Sequence, residues 1–131
     1  MMGLQANGAI PVAGRIRPRH RGADARFCRR LGGVVAIAFG VTAAEVLAPS
    51  RGKAPVAFAR QTAIYLGHVV FGLSLTRLAQ GFGRDRTTAG HACRTIEEWR
   101  EDPAIDQVFG LLEAACCEAL AGARNAPGMR P

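Results

Sequence analysis

The stretch GFGRDRTTAGHACRTIEEWR, residues 81–100, decides the fold of this 131-residue chain. Its first half is crowded with hydrogen-bonding side chains, namely Arg84, Asp85, Arg86, Thr87 and Thr88. Its second half alternates apolar and polar residues at helical spacing. Either the crowded start caps and solvates a helix, or it contacts a ligand, and the surrounding residues bear on that choice.

Two segments carry the spacing of a helix-turn-helix motif, with a small Ala in the first helix and a Gly four residues later. Ala lets the two helices cross closely, and Gly accepts the unusual backbone angles of the turn. The segments are Ala36–Gly40 and Ala79–Gly83. The residues after Gly40, VTAAE, offer nothing to a polyanion, whereas RDRTT follows Gly83. Only the second segment is therefore predicted to contact DNA.

The residues after this turn form an amphipathic helix when each one advances by about 100°. Within an arc of roughly 120° lie Ala89, Ala92, Cys93, Ile96 and Trp99, and opposite them lie Thr87, His91, Arg94 and Glu98. The apolar side is predicted to pack on the domain, leaving the polar side free for DNA. The alternative is a solvated helix with an elaborate cap. Asp85 suits both, as an N-cap or as an acceptor for a base amino group.

Composition favours a polyanionic partner. Lys and Arg number 17 against 10 acidic residues, which gives a net charge of +7. Most of the cations are Arg, whose guanidinium donates two parallel hydrogen bonds to phosphates and base edges. Acidic lipid and a merely solvated basic arm are the alternatives.

The cysteines and the apolar segments predict neither a metal site nor a membrane span. The four cysteines, Cys28, Cys93, Cys116 and Cys117, lack metal-type pairing and are predicted to be idle reduced thiols. The apolar run at residues 31–48 contains Thr42, Glu45 and glycines, which predict two short helices. The start of the chain lacks the features of a signal peptide. We expect a cytoplasmic, nucleoid-associated protein.

The pattern along the chain predicts one all-α domain between two loose ends. Residues 1–26 are predicted to be a disordered basic arm, 27–121 the helical domain and 122–131 a flexible tail. Thr42 and Glu45 form a capping box at the second helix. Pro55 suits the first turn of a long helix, Ser74 caps a short one, and Pro103 starts the last. The predicted architecture is a helical bundle containing a helix-turn-helix.

The segment RDRTTAGHACRTIEE, residues 84–98, resembles the C-terminal signature of the bacterial chromosomal replication initiator DnaA. The resemblance continues upstream through FGVTAAEVL, SRGKAPVAFARQTAIYL and GLSLTRLAQGFG, from near Leu31 to near Leu112. It implies a helical bundle that binds short asymmetric duplex boxes. The recognition helix would contact the major groove, and an arginine of the preceding basic loop the minor groove.

Carried over to this sequence, the resemblance implies base contacts from Asp85, Arg86 and Thr87, with Thr88 beside them. His91 and Arg94 fall on motif positions, and Arg60 and Gln61 match the Arg-Gln of the long helix. The expected phosphate contacts come from Arg60, His68, Arg77, Arg84 and the N-terminal arm.

Three departures from the family bear on box specificity. One glycine, Gly83, stands where the family has two. Arg86 replaces a histidine of the signature. The minor-groove arginine aligns on Gly52, so that Arg51 or Lys53 would have to take its place.

The expected function is sequence-specific binding of double-stranded DNA by a stand-alone protein, as a transcriptional regulator or a modulator of replication initiation at DnaA-box-like sites. The chain lacks the G-x-x-x-x-G-K-[ST] phosphate loop of an ATPase and any catalytic constellation, so no nucleotide, no cofactor and no enzymatic activity are expected. The alternative is a protein-interaction module that keeps the fold, with Trp99 or the helix bearing Cys116 and Cys117 as its contact surface.

Overall fold

The chain folds as an all-α bundle, as predicted. A computed structural model describes the backbone of residues 18–124 and the side chains of residues 22–121. Six helices lie within that range: α1 Pro18–Phe39, α2 Ala43–Leu47, α3 Ala54–Val69, α4 Leu75–Gly81, α5 Arg86–Trp99 and α6 Pro103–Arg124.

The predicted helix starts are confirmed by their caps. At α2 the Glu45 amide donates to the Thr42 hydroxyl at 3.1 Å, and the Thr42 amide donates to the Glu45 carboxylate at 2.9 Å. Pro55 lies in the first turn of α3, and Ser74 caps α4 by accepting from the Arg77 amide at 3.1 Å. Each cap supplies a partner to an amide that has none inside its helix.

The apolar run at residues 31–48 is divided between α1 and α2, as predicted. Gly40 makes the turn between them with a φ of 69°. None of the helices in the described part of the chain is long and apolar enough to cross a membrane.

Helix α1 begins at Pro18 and not at Phe27, so the prediction that residues 18–26 are disordered is wrong. Asp24 explains the difference, because it is buried and accepts two hydrogen bonds from the Arg77 guanidinium, at 2.7 and 2.8 Å. This ion pair ties the start of α1 to α4. The bond to Asp24 also raises the pKa of Arg77. Local composition hid this contact, because its partner lies far along the sequence.

The two predicted ends also differ in extent from the structure. Helix α6 continues to Arg124, past the predicted end at Ala121. The remainder of the predicted arm, residues 1–17, and of the predicted tail, residues 125–131, lies outside the described residues.

Helix α3 is the centre of the bundle and packs against α1, α2, α4 and α5. It is buried on most of its circumference, from Val56 to Gly67. The core around it includes Leu31, Val35, Ala63, Leu66, Leu78, Phe82 and Ile96. Burial of such side chains, worth about 1.5–3 kcal/mol each, holds α4 and α5 in place.

Two glycines allow α4 to approach its neighbours. A Cβ on Gly81 would collide with the Cys28 side chain of α1, and one on Gly67 of α3 would lie 2.5 Å from Cδ2 of Leu78. The position of α4, the first helix of the predicted motif, therefore depends on glycine at both contacts.

Candidate nucleic-acid interface

The turn between α4 and α5 has the geometry predicted from Gly83. That glycine has a φ of 68°, and the following Arg84 amide donates to the Ala79 carbonyl at 2.8 Å. Asp85 then caps α5, its carboxylate accepting from the Thr88 amide at 2.7 Å. Hydrogen bonds from the backbone and side chain of Thr88 lower the pKa of Asp85. The carboxylate is therefore ionised at neutral pH, and its two oxygens offer about four acceptor sites in all, enough for the cap and a further donor.

The two faces of α5 are largely as the helical wheel predicted. Its buried residues are Ala89, Ala92, Cys93 and Ile96, and its exposed ones include Arg86, Thr87, Thr88, His91 and Arg94. Trp99 is the exception, because it is 50% exposed and rests edge-on against Phe58 at 5.9 Å between ring centroids. It is the last residue of α5, where the helix extends past the cover of its neighbours.

A basic loop, residues 48–53, joins α2 to α3. Gly52 adopts a φ of 78°, and the side chains of Arg51 and Lys53 are exposed on either side of it. Lys53 occupies the N-cap position of α3, and its carbonyl accepts from the Ala57 amide at 2.9 Å. The loop thus presents two cations from an anchored backbone.

Arg60, predicted from the family motif to contact DNA, is only 5% exposed. Its Nε donates to the Val46 carbonyl at 2.7 Å, and its two terminal nitrogens donate to the carbonyls of Glu45 at 2.9 Å and Arg51 at 3.0 Å. Burial lowers the pKa of this guanidinium, and the charges of Arg84 and Arg51 act in the same direction. Its phosphate contact stays a prediction, while the observed bonds engage all three nitrogens with the backbone.

Arg84 makes a similar set of bonds from the opposite side. One terminal nitrogen donates to the carbonyls of Ala48 at 3.1 Å and Ser50 at 3.0 Å, and the other donates to Phe82 at 3.1 Å. Sequence reasoning missed these roles for both arginines, because their acceptors are backbone atoms that leave no mark on residue type.

The loop, α3 and the start of α5 enclose one cleft. The predicted site residues that line it are Arg51, Arg60, Gln61, Arg84, Thr88 and His91. Asp85, Arg86 and Thr87 lie beside it at the exposed N-terminus of α5, and Arg94 lies further along that helix. The fold therefore brings together residues separated by some forty positions in sequence.

Two predicted phosphate contacts lie apart from the cleft lining. His68 is exposed in the last turn of α3, and its Nδ1 lies 2.8 Å from the Leu73 carbonyl oxygen. Because a carbonyl only accepts, Nδ1 is the donor in this bond, and Nε2 of the neutral ring is then an acceptor that cannot donate to a phosphate. The phosphate contact of His68 stays a prediction that requires a proton on both ring nitrogens. Arg77 is engaged by Asp24. Asp24 lies in helical register with the buried residues Cys28, Leu31 and Val35, and this register is compatible with an α1 that begins before Phe27, but it does not reveal the partner Arg77.

Charge is distributed unevenly over the described surface. Within residues 22–121, salt bridges involve Arg77 and Arg100, and none of the arginines lining the cleft pairs with a carboxylate. Seven of the ten acidic residues come after α5 has passed the cleft: Glu97, Glu98, Glu101, Asp102, Asp106, Glu113 and Glu118. The cleft region is thus cationic, and the α5–α6 junction is acidic, which suits approach of a polyanion from one side.

The cysteines are free thiols, as predicted. Burial raises the pKa of Cys28 to about 12 and the pKa values of Cys93 and Cys116 to about 11. These thiols are protonated at neutral pH and are poor nucleophiles. Among the described residues, no group of three or more His, Cys, Asp or Glu is placed to hold a metal ion.

Two helices joined by a tight glycine turn, the second one capped and exposing a cationic face, define a helix-turn-helix domain of the DNA-binding class. Residues 30–96 match the family described as bacterial dnaA protein helix-turn-helix. The chain belongs to this family, as the signature at residues 84–98 indicated. Membership implies DNA binding, and the matched domain is a non-catalytic module.

Relatives support the same assignment. Over 60 residues the chain is 42% identical to the chromosomal replication initiator protein DnaA of Laribacter hongkongensis (strain HLHK9), covering 44% of this chain and 12% of that protein. It is 40% identical over 60 residues to the DnaA protein of Pseudothermotoga lettingae, covering 46% of this chain and 13% of that protein. The chain thus matches only a small part of the length of these curated relatives.

Proposed function

We propose that this chain binds double-stranded DNA sequence-specifically, with α5 in the major groove and the basic loop in the adjacent minor groove. The observation that carries the proposal is the exposed N-terminus of α5 beside the loop. Asp85, Arg86 and Thr87 are exposed there, and the cations of the cleft lack carboxylate partners within residues 22–121. Recognition helices present N-terminal residues to base edges in this way.

The side chains divide by chemistry into base and phosphate contacts. Asp85 accepts from a base amino group, Arg86 donates its fork to guanine, and Thr87 packs its methyl on thymine. Phosphate contacts come from Thr88, His91 and Arg94 along α5 and from Gln61 on α3, and His68 adds one when both of its ring nitrogens carry a proton. In the cell this binding serves transcriptional regulation or modulation of replication initiation at DnaA-box-like sites.

The purified protein is expected to bind duplex DNA in the absence of nucleotide. Each phosphate that the protein neutralises contributes about −0.9 to the slope of log affinity against log salt concentration. Per phosphate, the affinity should therefore fall roughly three- to fourfold between 50 and 200 mM salt. Fluorescence anisotropy with a labelled duplex at these two concentrations measures the slope. A requirement for ATP, or an affinity independent of salt, would contradict the proposal.

Arg86→His is expected to change the preferred DNA sequence. Arginine donates to O6 and N7 of guanine at the same time, which discriminates against the other bases by roughly 1–3 kcal/mol. Histidine makes a single hydrogen bond from each ring nitrogen. The wild-type box should carry a guanine opposite Arg86, and the variant should move towards the box bound by the DnaA initiators. Selection of bound fragments from a random duplex pool, for wild type and variant in parallel, measures the shift.

Arg94→Ala is the control for that selection, because Arg94 lies further along the exposed face of α5. Loss of a phosphate contact should weaken binding to all sequences alike and leave the preferred box unchanged. If Arg86→His likewise left the box unchanged and only weakened binding, Arg86 would be a phosphate contact and the base-contact assignment would fail.

The alternative function, a protein-interaction module, is favoured by one observation. An apolar groove lies at the junction of α1, α3, α5 and α6, lined by Phe39, Phe58, Trp99, Ile105, Val108 and Phe109. Trp99 and Val108 are largely exposed in it. A folded protein that showed no salt-dependent DNA binding would support this alternative.

A further inference from the structure

Two arginines share the task of holding one loop. Arg60 of α3 and Arg84 of the turn before α5 together donate to the backbone carbonyls of Glu45, Val46, Ala48, Ser50 and Arg51. These acceptors run from the end of α2 to the middle of the basic loop. The loop is therefore held by hydrogen bonds from two guanidinium groups, one on each side of the cleft.

The chain has a physical need for this arrangement. A loop carrying Pro49 and Gly52 cannot satisfy its carbonyls by a regular ladder, and partly buried carbonyls need donors. Guanidinium supplies several donors in a rigid plane, so that one side chain can bridge two carbonyls. Arg84 does so with Ala48 and Ser50, using a single terminal nitrogen.

The position of Arg84 links these hydrogen bonds to the proposed recognition of DNA. Arg84 directly precedes Asp85, the cap of α5, and its other terminal nitrogen holds the Phe82 carbonyl in the turn. The same guanidinium thus touches both the turn that aims α5 and the loop that carries Arg51 and Lys53. A change in its bonds alters the distance between the two groups of DNA contacts.

We propose that Arg84, acting with Arg60, is a positioning residue that sets the spacing between the basic loop and the recognition helix. The inference rests on the proposed function, because spacing matters only if the loop and α5 contact one duplex. It gives Arg84 a role other than the phosphate contact expected from the sequence. In this role the geometry of the guanidinium matters, and its charge does not suffice.

Two variants separate geometry from charge. Arg84→Lys keeps the positive charge but lacks the planar fork, and Arg84→Met removes both. Arg94→Lys and Arg94→Met make the same changes at an exposed arginine of α5 that has no described hydrogen bond to the loop. If Arg84 acts as a clamp, that is, by its hydrogen bonds to the carbonyls of the turn and the loop, both variants lose this role. If Arg84 acts by contacting a phosphate, Arg84→Lys keeps the contact.

The first measurement needs no DNA. Trypsin cleaves after Arg51, and native-state cleavage follows the population in which the loop is open. We expect both Arg84 variants to be cut at the Arg51–Gly52 bond at least about tenfold faster than wild type, as followed by mass spectrometry, because bonds to a charged donor are lost. The Arg94 variants should be cut at the wild-type rate. Unchanged cleavage in both Arg84 variants would overturn the clamp.

The second measurement compares the selected duplex with one that carries a single inserted base pair between its minor-groove and major-groove segments. Wild type should bind the inserted duplex at least about tenfold more weakly, and both Arg84 variants should show a much smaller ratio. Arg84 would instead be a phosphate contact if Arg84→Lys kept the wild-type ratio of affinities for the two duplexes. In that case only Arg84→Met should reduce the slope of log affinity against log salt, by about 0.9. If wild type bound no duplex specifically, the proposed function would fail, while the trypsin result would still decide the clamp.

Discussion

Replacing Arg60 by methionine is expected to lower the free energy of unfolding by roughly 2–4 kcal/mol, because three carbonyls lose a charged donor at once. Methionine fills a similar volume and removes the cost of burying the charge, the cost that lowers the pKa of Arg60. It leaves the carbonyls of Glu45, Val46 and Arg51 without their guanidinium partner. Hydrogen bonds to charged groups contribute about 1.5–3 kcal/mol each, so their loss outweighs the gain.

Urea denaturation of the DNA-free protein, followed by helical circular dichroism, measures this effect. Arg94→Met is the matched control, because Arg94 is exposed and the same substitution should change stability by no more than about 0.5 kcal/mol. An Arg60→Met protein as stable as this control would show that the carbonyls find water as a substitute, and that Arg60 is free for another role.

The double change Arg51→Ala with Lys53→Ala is expected to weaken binding to the selected box about 100-fold. Both side chains are exposed, and the backbone between them is held by Gly52 and by the bond from Arg60 to the Arg51 carbonyl. One cation in the minor groove and one on phosphate together account for a loss of about 2–3 kcal/mol, which is close to that factor. Stability should be nearly unchanged, because neither side chain is packed.

Charge-matched controls decide whether the loop acts by position or only by charge. Arg29→Ala with Arg30→Ala removes two exposed cations from α1, outside the cleft. Arg15→Ala with Arg17→Ala removes two cations from the predicted arm, among residues that the structure does not describe. Both pairs should weaken binding much less than the loop pair, and alike for all sequences. Equal losses of affinity in all three double variants would show that the loop contributes only its positive charge and not the position of its side chains.

Sequence reasoning succeeded where local chemistry dictates structure. The cap residues Thr42, Ser74 and Asp85 and the turn glycine Gly83 act within a few positions of themselves. The period of α5 likewise predicted its buried residues, Ala89, Ala92, Cys93 and Ile96, since a helix determines which of its residues share a face. Trp99 departed from that pattern because cover at a helix end depends on the neighbouring helices.

The amino-acid sequence by itself determined the all-α class, the helix-turn-helix and the family, because capping, turn geometry and a long signature are written in neighbouring residues. Only the tertiary structure decided that Asp24 extends α1 by pairing with Arg77, and that Arg60 and Arg84 hold the basic loop. An arginine has the same residue type whether it faces phosphate or a backbone carbonyl. Which acceptor it meets depends on how distant segments pack, and here packing placed the loop carbonyls within its reach.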